Sequence, residues 1–193
     1  MKNHSIKLLF LSFLFLSPIA KGQVNLSLRT PNNLRPAVEK VLSAYSDHYA
    51  QVKGDTVSVS ESAIIYNSVV KPGSAINCTV TEYLNTEKFD CSWEALLLNT
   101  EDFDAAAKKY NTCYQQLKNL VVKTGGETAK MDGEFEAVEG TKNFYSTVFS
   151  PSTNNPILEK IRVEVLLESD LTSWSVRILV YDRVHDDKEG NLN

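Results

Sequence analysis

Few side chains in this chain can do chemistry, and their spacing decides between catalysis and binding. Beyond an N-terminal leader there are two histidines, His48 and His185, and three cysteines, Cys78, Cys91 and Cys113. A Ser-His-Asp hydrolase would have to use His48, since His185 falls in a polar tail, and no Gly-x-Ser-x-Gly elbow accompanies it. Gly125-Gly126 and Gly133 lack the following helix and the lysine spacing of a phosphate-cradling loop. The cysteine spacings match no zinc template. Glu164 and Glu168 lie four apart on an alternating segment, roughly 13 Å along a strand, too far for paired acid–base work on one bond. The reading is a protein that is not an enzyme, acts by binding, and uses no cofactor and no metal.

The chemistry that recurs is aromatic. Tyr45, Tyr49, Gln51, Val52 and Lys53 reappear in order as Tyr110, Tyr114, Gln116, Leu117 and Lys118. Within each set the tyrosines stand at i and i+4, the spacing of one helix face, so their first role is to pack a helix on its sheet. In the alternative reading Tyr45, Tyr49, Tyr110 and Tyr114 line a groove between two helices and the sheet and hold a small apolar or aromatic ligand. Lys53 and Lys118 suit the last helical turn, where a cation meets the negative end of the dipole.

Two further echoes support a duplication. Ile65–Pro72 resembles Phe144–Pro151, and the Trp93 segment Ser92–Leu98 resembles Ser173–Leu179. The expected fold is therefore α+β: two tandem α-β-β-β repeats forming a six-stranded antiparallel sheet with two helices on one face. Leu34, Val38, Val41, Leu42, Tyr45, Tyr49 and Val52 predict a first helix closed by Gly54, and a second is predicted from a Thr100 cap to Leu120. Alternation predicts strands whose buried faces carry Ile76, Cys78, Val80 and Leu84, then Phe89, Cys91, Trp93, Ala95 and Leu97, then Ile161, Val163, Val165 and Leu167, then Trp174, Val176, Ile178 and Val180. The repeats span 23–99 and 100–182. The second contains a long 123–143 loop, rich in Gly, Glu, Lys and Thr, and 183–193 reads as a disordered tail.

Residues 1–22 have the charged start, short apolar middle and small-residue end of a secretory signal peptide. Leu8–Leu16 is well short of the ~20 residues a membrane helix needs, so no span is expected after cleavage. The leader and its Ala20-Lys21-Gly22-Gln23 junction resemble those of bacterial proteins exported to the periplasm or secreted. The whole chain carries 20 Lys+Arg against 24 Asp+Glu. Without Lys2, Lys7 and Lys21 the formal charge falls to −7. No basic cluster offers a footprint for nucleic acid.

Export permits disulfides, and Cys78, Cys91 and Cys113 are the candidates. A turn at 85–88 sets Cys91 opposite Glu82, which leaves Cys78 too far along for a cross-strand bridge and favours a helix-to-strand bridge from Cys113. The remaining function is contact with a protein partner, through the 123–143 loop or the sheet face away from the helices. On that face Tyr83, Leu96, Leu98, Arg177 and Tyr181 would make the contacts. Secretion from a bacterial host should yield a chain starting at Gln23, checked by the intact mass of the exported protein. A product retaining Met1–Gly22 contradicts the signal-peptide reading.

Overall fold

The computed structural model describes residues 34–84 and 90–183. The expected leader, the turn at 85–88 and the tail from 184 onward lie outside the described residues. The chain runs α1 (Leu34–Ser43), a 3-10 turn (Tyr45–Asp47), β1 (Lys53–Val59), β2 (Ala63–Ser68), β3 (Asn77–Tyr83), β4 (Asp90–Thr100), α2 (Phe103–Leu117), β5 (Val121–Thr124), β6 (Glu127–Asp132), β7 (Phe144–Pro151), a second 3-10 turn (Leu158–Lys160), β8 (Ile161–Ser169) and β9 (Trp174–Asp182). The strands form a nine-stranded sheet in the order β1-β2-β3-β4-β9-β8-β7-β6-β5. Every neighbouring pair is antiparallel.

This corrects the expected six-stranded sheet of two tandem repeats. Four strands follow α1 and five follow α2, so the two halves are not copies of one α-β-β-β unit. The additional strands are β1, β5 and β6, the outer members of the sheet. β1 is poorly buried along its length, and β5 and β6 each bury only two side chains (Val122 and Thr124, Ala129 and Met131), too few to write the long apolar alternation that marks β4 or β8. Glu127–Asp132, read as part of a loop, is held in β6 by pairing with β5 and with the end of β7. Hydrogen bonding to a neighbouring strand makes it a strand, and a sequence window contains no neighbour.

The first helix is also shorter than its periodicity predicts. It ends at Ser43, whose hydroxyl donates to the Lys40 carbonyl, 2.7 Å away. The chain then tightens through Tyr45–Asp47 and passes through two consecutive left-handed residues, His48 (φ 56°) and Tyr49 (φ 61°). Tyr49 N–H donates to the Ala44 carbonyl, and the Tyr49 carbonyl accepts from both Val52 and Lys53. The Ser43 hydroxyl takes a backbone carbonyl at the helix end, and Lys53 is needed as the first residue of β1. Lys53 therefore caps no helix, and Gly54 lies inside β1, where an added Cβ would approach the Asn67 carbonyl oxygen to 3.0 Å. The second helix is capped by Asp102, which accepts from Ala105 N–H; Thr100 instead accepts from Asp102 N–H.

Both helices pack into one core with the inward side of the sheet. The alternation is realised inside the central strands, where Val80, Trp93, Ala95, Val163, Val165, Val176, Ile178 and Val180 are fully buried, but Ile76 and Leu84, expected on the same face as Val80, lie just beyond the two ends of β3 and are exposed. Phe89 lies outside the described residues. Trp93 sits at the centre and donates its indole N–H to the Ser68 hydroxyl at 2.9 Å. That hydroxyl donates to the Val70 carbonyl and accepts from Val70 N–H, so one small side chain holds the end of β2 to β4. Ser68→Ala leaves two N–H groups without an acceptor. It should lower unfolding stability by ~1–3 kcal/mol, read as a fall in urea midpoint with unchanged slope.

Candidate functional site

Two regions combine chemistry with access: the side of the sheet opposite the helices, and a cleft at one end of the β4–β9 seam. The open side is laid out by strand register. One row across it reads Asn77, Leu96, Arg177, Leu166 and Ser146, and the next Thr79, Glu94, Leu179, Glu164 and Val148. Among the described residues no helix packs over these rows, because both helices belong to the core on the other side.

Arg177 lies at the middle of the open side. Its Nη1 meets Glu168 Oε1 at 2.7 Å, and its Nε lies 3.5 Å from Glu94 Oε1, an ion pair without a hydrogen bond. Tyr181 is buried and donates to Glu164 Oε2 at 3.0 Å, while the Ser146 hydroxyl donates to Glu164 Oε1. Tyr83 and Ser92 share a hydrogen bond of 3.3 Å. Four of the five expected partner-binding residues, Tyr83, Leu96, Arg177 and Tyr181, therefore do stand on this side. Leu98 does not. A register shift between Leu96 and Leu98 turns Leu98 toward the core, against which it packs.

The repeated tyrosines part company. Tyr110 is fully buried and shares a 2.7 Å hydrogen bond with Thr147, whose oxygen also accepts from Glu136 N–H. Phe135 packs on Tyr110 and Tyr114, with ring centroids 5.8 and 4.6 Å apart, and Tyr114 stacks on Phe149. The expected 123–143 loop is thus largely committed to the fold. Its first part forms the end of β5 and the whole of β6, and the remainder lies along β7. There the Glu136 carboxylate accepts from Ser146 N–H and Lys142 Nζ, and Phe135 and Val138 join the core. Gly133 allows this close passage, since a Cβ there would come within 2.8 Å of the Phe149 ring and the Val148 carbonyl.

Tyr45 and Tyr49 instead line a cleft of about 270 Å3, together with Ser46, His48, Asp90, Cys91, Ile157, Lys160 and Asp182. Tyr45 donates to Asp182 Oδ2 at 2.6 Å and meets Tyr49 edge to face, centroids 6.1 Å apart. The Tyr49 side chain is buried, and its hydroxyl has no hydrogen-bond partner among the described residues. Burial above all holds both phenols well above their ordinary pKa, helped at Tyr45 by its hydrogen bond to Asp182 and at Tyr49 by the neighbouring Tyr45, so both stay protonated. The consecutive left-handed residues that aim His48 and Tyr49 here are strained, at a cost of order 1–3 kcal/mol each. The four tyrosines do not form one groove: Tyr45 and Tyr49 border the cleft, whereas Tyr110 and Tyr114 pack against Phe135 and Phe149.

Asp90, Asp182 and Lys160 were not singled out by sequence reasoning. Each is a single polar residue at a strand or turn end, with no local motif. Their convergence follows from the antiparallel seam, in which Trp93 faces Val180, so the first residue of β4 and the last of β9 reach the same end of the sheet. No family model, curated protein or solved structure matches the chain.

The cysteines are three buried free thiols. Cys91 pairs with Glu82 and Cys78 with Ala95, the offset expected from a turn at 85–88. Burial raises all three thiols, Cys78 and Cys91 to about 11 and Cys113 to about 12, so little thiolate exists at neutral pH. Native protein at pH 8 should react with a thiol probe such as DTNB far more slowly than protein unfolded in guanidinium, where all three react. Fast native labelling would contradict this burial.

Proposed function

We propose that the protein is a non-catalytic binding protein that meets a protein partner through the open side of its sheet. The observation that supports the reading is the combination at Arg177. A guanidinium is flanked by Leu96, Leu166 and Leu179 on a sheet side that no described helix covers. Arginine and apolar side chains ringed by polar groups are the composition of interface centres. The 123–143 segment, largely taken up by β6 and by the packing of Phe135, is less suited to be the primary contact. Export of the chain, expected from its leader, would bring this surface to an envelope or extracellular partner.

The test is affinity capture from the envelope fraction of the native host, using wild type, Arg177→Glu and Leu96→Lys. Leu96→Lys leaves the Glu94–Arg177–Glu168 chain in place, so it probes the surface without removing that ion-pair network. A partner retained by wild type and lost by both variants, each still folded by circular dichroism, supports the reading. Equal capture by all three would place the contact elsewhere.

A further inference from the structure

The β5 edge of the sheet carries a groove of its own. It lies between α1 and β5, holds about 460 Å3, and is lined by Arg35, Glu39, Lys40, Ser43, Val121 and Lys123. Arg35, Glu39 and Ser43 stand at i, i+4 and i+8, so one flank of α1 forms a wall. The Thr124 hydroxyl donates to the Ser43 carbonyl at 3.4 Å and ties the helix to the strand. β5 forms the other wall and is the last strand of the sheet. The β5–β6 hairpin decides which of its backbone groups are free. Gly125 and Gly126, both left-handed, make a two-residue turn that sets Thr124 and Glu127 as a hydrogen-bonded pair, and Met131 N–H donates to the Leu120 carbonyl in the same phase. Residues 120, 122 and 124 therefore bond to β6, while Val121 and Lys123 turn their N–H and C=O groups toward the groove. No described backbone group bonds them.

We propose that this groove binds an extended acidic peptide of a partner protein, which adds to β5 as a further short strand. The unpaired edge selects an extended backbone, and the charge of the walls selects acidic side chains. Three cations line the groove, and its one carboxylate among the described residues, Glu39, is already bonded to Arg35 at 2.9 Å. Lys40 and Lys123 are exposed and have no carboxylate within ion-pair distance among the described residues, in a chain that holds more acids than bases. The neighbouring charges do not reverse the sign. Lys130, opposite Val121, is held by Asp132, and Glu127 belongs to β6, one strand in from the edge. The volume exceeds what a bare anion needs and falls in the range of ligand pockets. Four residues of edge blunt β5 against a second sheet but suffice for a short peptide. This groove is separate from the open side of the sheet and does not depend on the contact proposed there.

Three end-blocked, dye-labelled hexapeptides separate charge from strand addition: VEVEVE, VQVQVQ and VKVKVK. Fluorescence anisotropy with the purified chain at low salt should show VEVEVE bound about tenfold or more tightly than either comparator, with affinity falling as salt rises. Lys40→Glu and Lys123→Glu, both at exposed positions, should each weaken VEVEVE by about tenfold, since each replaces an attraction by a like-charge contact. Two versions of VEVEVE, N-methylated at odd or at even positions, test the backbone; the one that loses the N–H groups facing β5 should not bind. Hydrogen exchange gives a direct view of the edge: the Val121 and Lys123 amides should exchange quickly in the free chain and slow when VEVEVE is added. Absence of VEVEVE binding overturns the proposal, as does equal binding of the three peptides or of both methylated versions. Slow exchange of Val121 and Lys123 in the free chain also overturns it, because the edge would then already be covered.

Discussion

Everything in this molecule depends on the pairing of β4 with β9. Each half of the chain, alone, would be an antiparallel meander with a helix and two open edges. Such a unit buries too little apolar surface to offset its chain entropy comfortably. Trp93 opposite Val180, Ala95 opposite Ile178 and Leu96 opposite Arg177 close those two edges against each other and merge the two half-cores. The result is a single apolar layer running from Val80 through Trp93, Ile178 and Val165 to Phe149, with both helices upon it. Edges remain only at β1 and β5. The first is kinked by register shifts and the second is four residues long, both recognised ways of blunting an edge.

The seam also generates both candidate sites. On the open side it brings Leu96 and Glu94 of one half beside Arg177 and Leu179 of the other. At its end it brings Asp90 to Asp182, and the broken end of α1 lays Tyr45 and Tyr49 against that pair. The bulge between Leu96 and Leu98 divides the two environments, since it returns Leu98 to the core while Leu96 stays outside. A strand without that shift would place Leu98 on the open side, as simple alternation requires.

The tyrosines show how similar words acquire different meanings. Tyr110 and Tyr114 lie on an unbroken helix and are absorbed by Thr147, Phe135 and Phe149. Tyr45 and Tyr49 lie where the helix has given way to a tight turn, and they face a cleft. Gln51 and Gln116 diverge as well: the former donates to Asp47, while Gln116 Oε1 is buried without a partner. Recurrence of residue types is a statement about sequence, and a backbone two residues out of helical register is enough to void it as a statement about structure.

By itself the sequence determined much of the core. Alternation in 161–167 and 176–180 and the residues Ala106, Tyr110 and Leu117 of the second helix marked buried positions, because burial of alternate or i, i+4 side chains is a local pattern that hydrophobicity writes directly into the chain, while Phe103, Tyr114 and Trp174 at the margin are only partly buried. It also set the offset between Cys78 and Cys91, which turn length dictates. Only the tertiary structure decided the strand count, the end of α1 and the membership of the cleft. Edge strands such as 53–59 and 127–132 exist through hydrogen bonds to a neighbour, and Asp90 meets Asp182 through the register of a pair about 90 residues apart in the chain. Such long-range pairing energies have no signature in a short window, so residues that depend on them are invisible until the sheet is assembled.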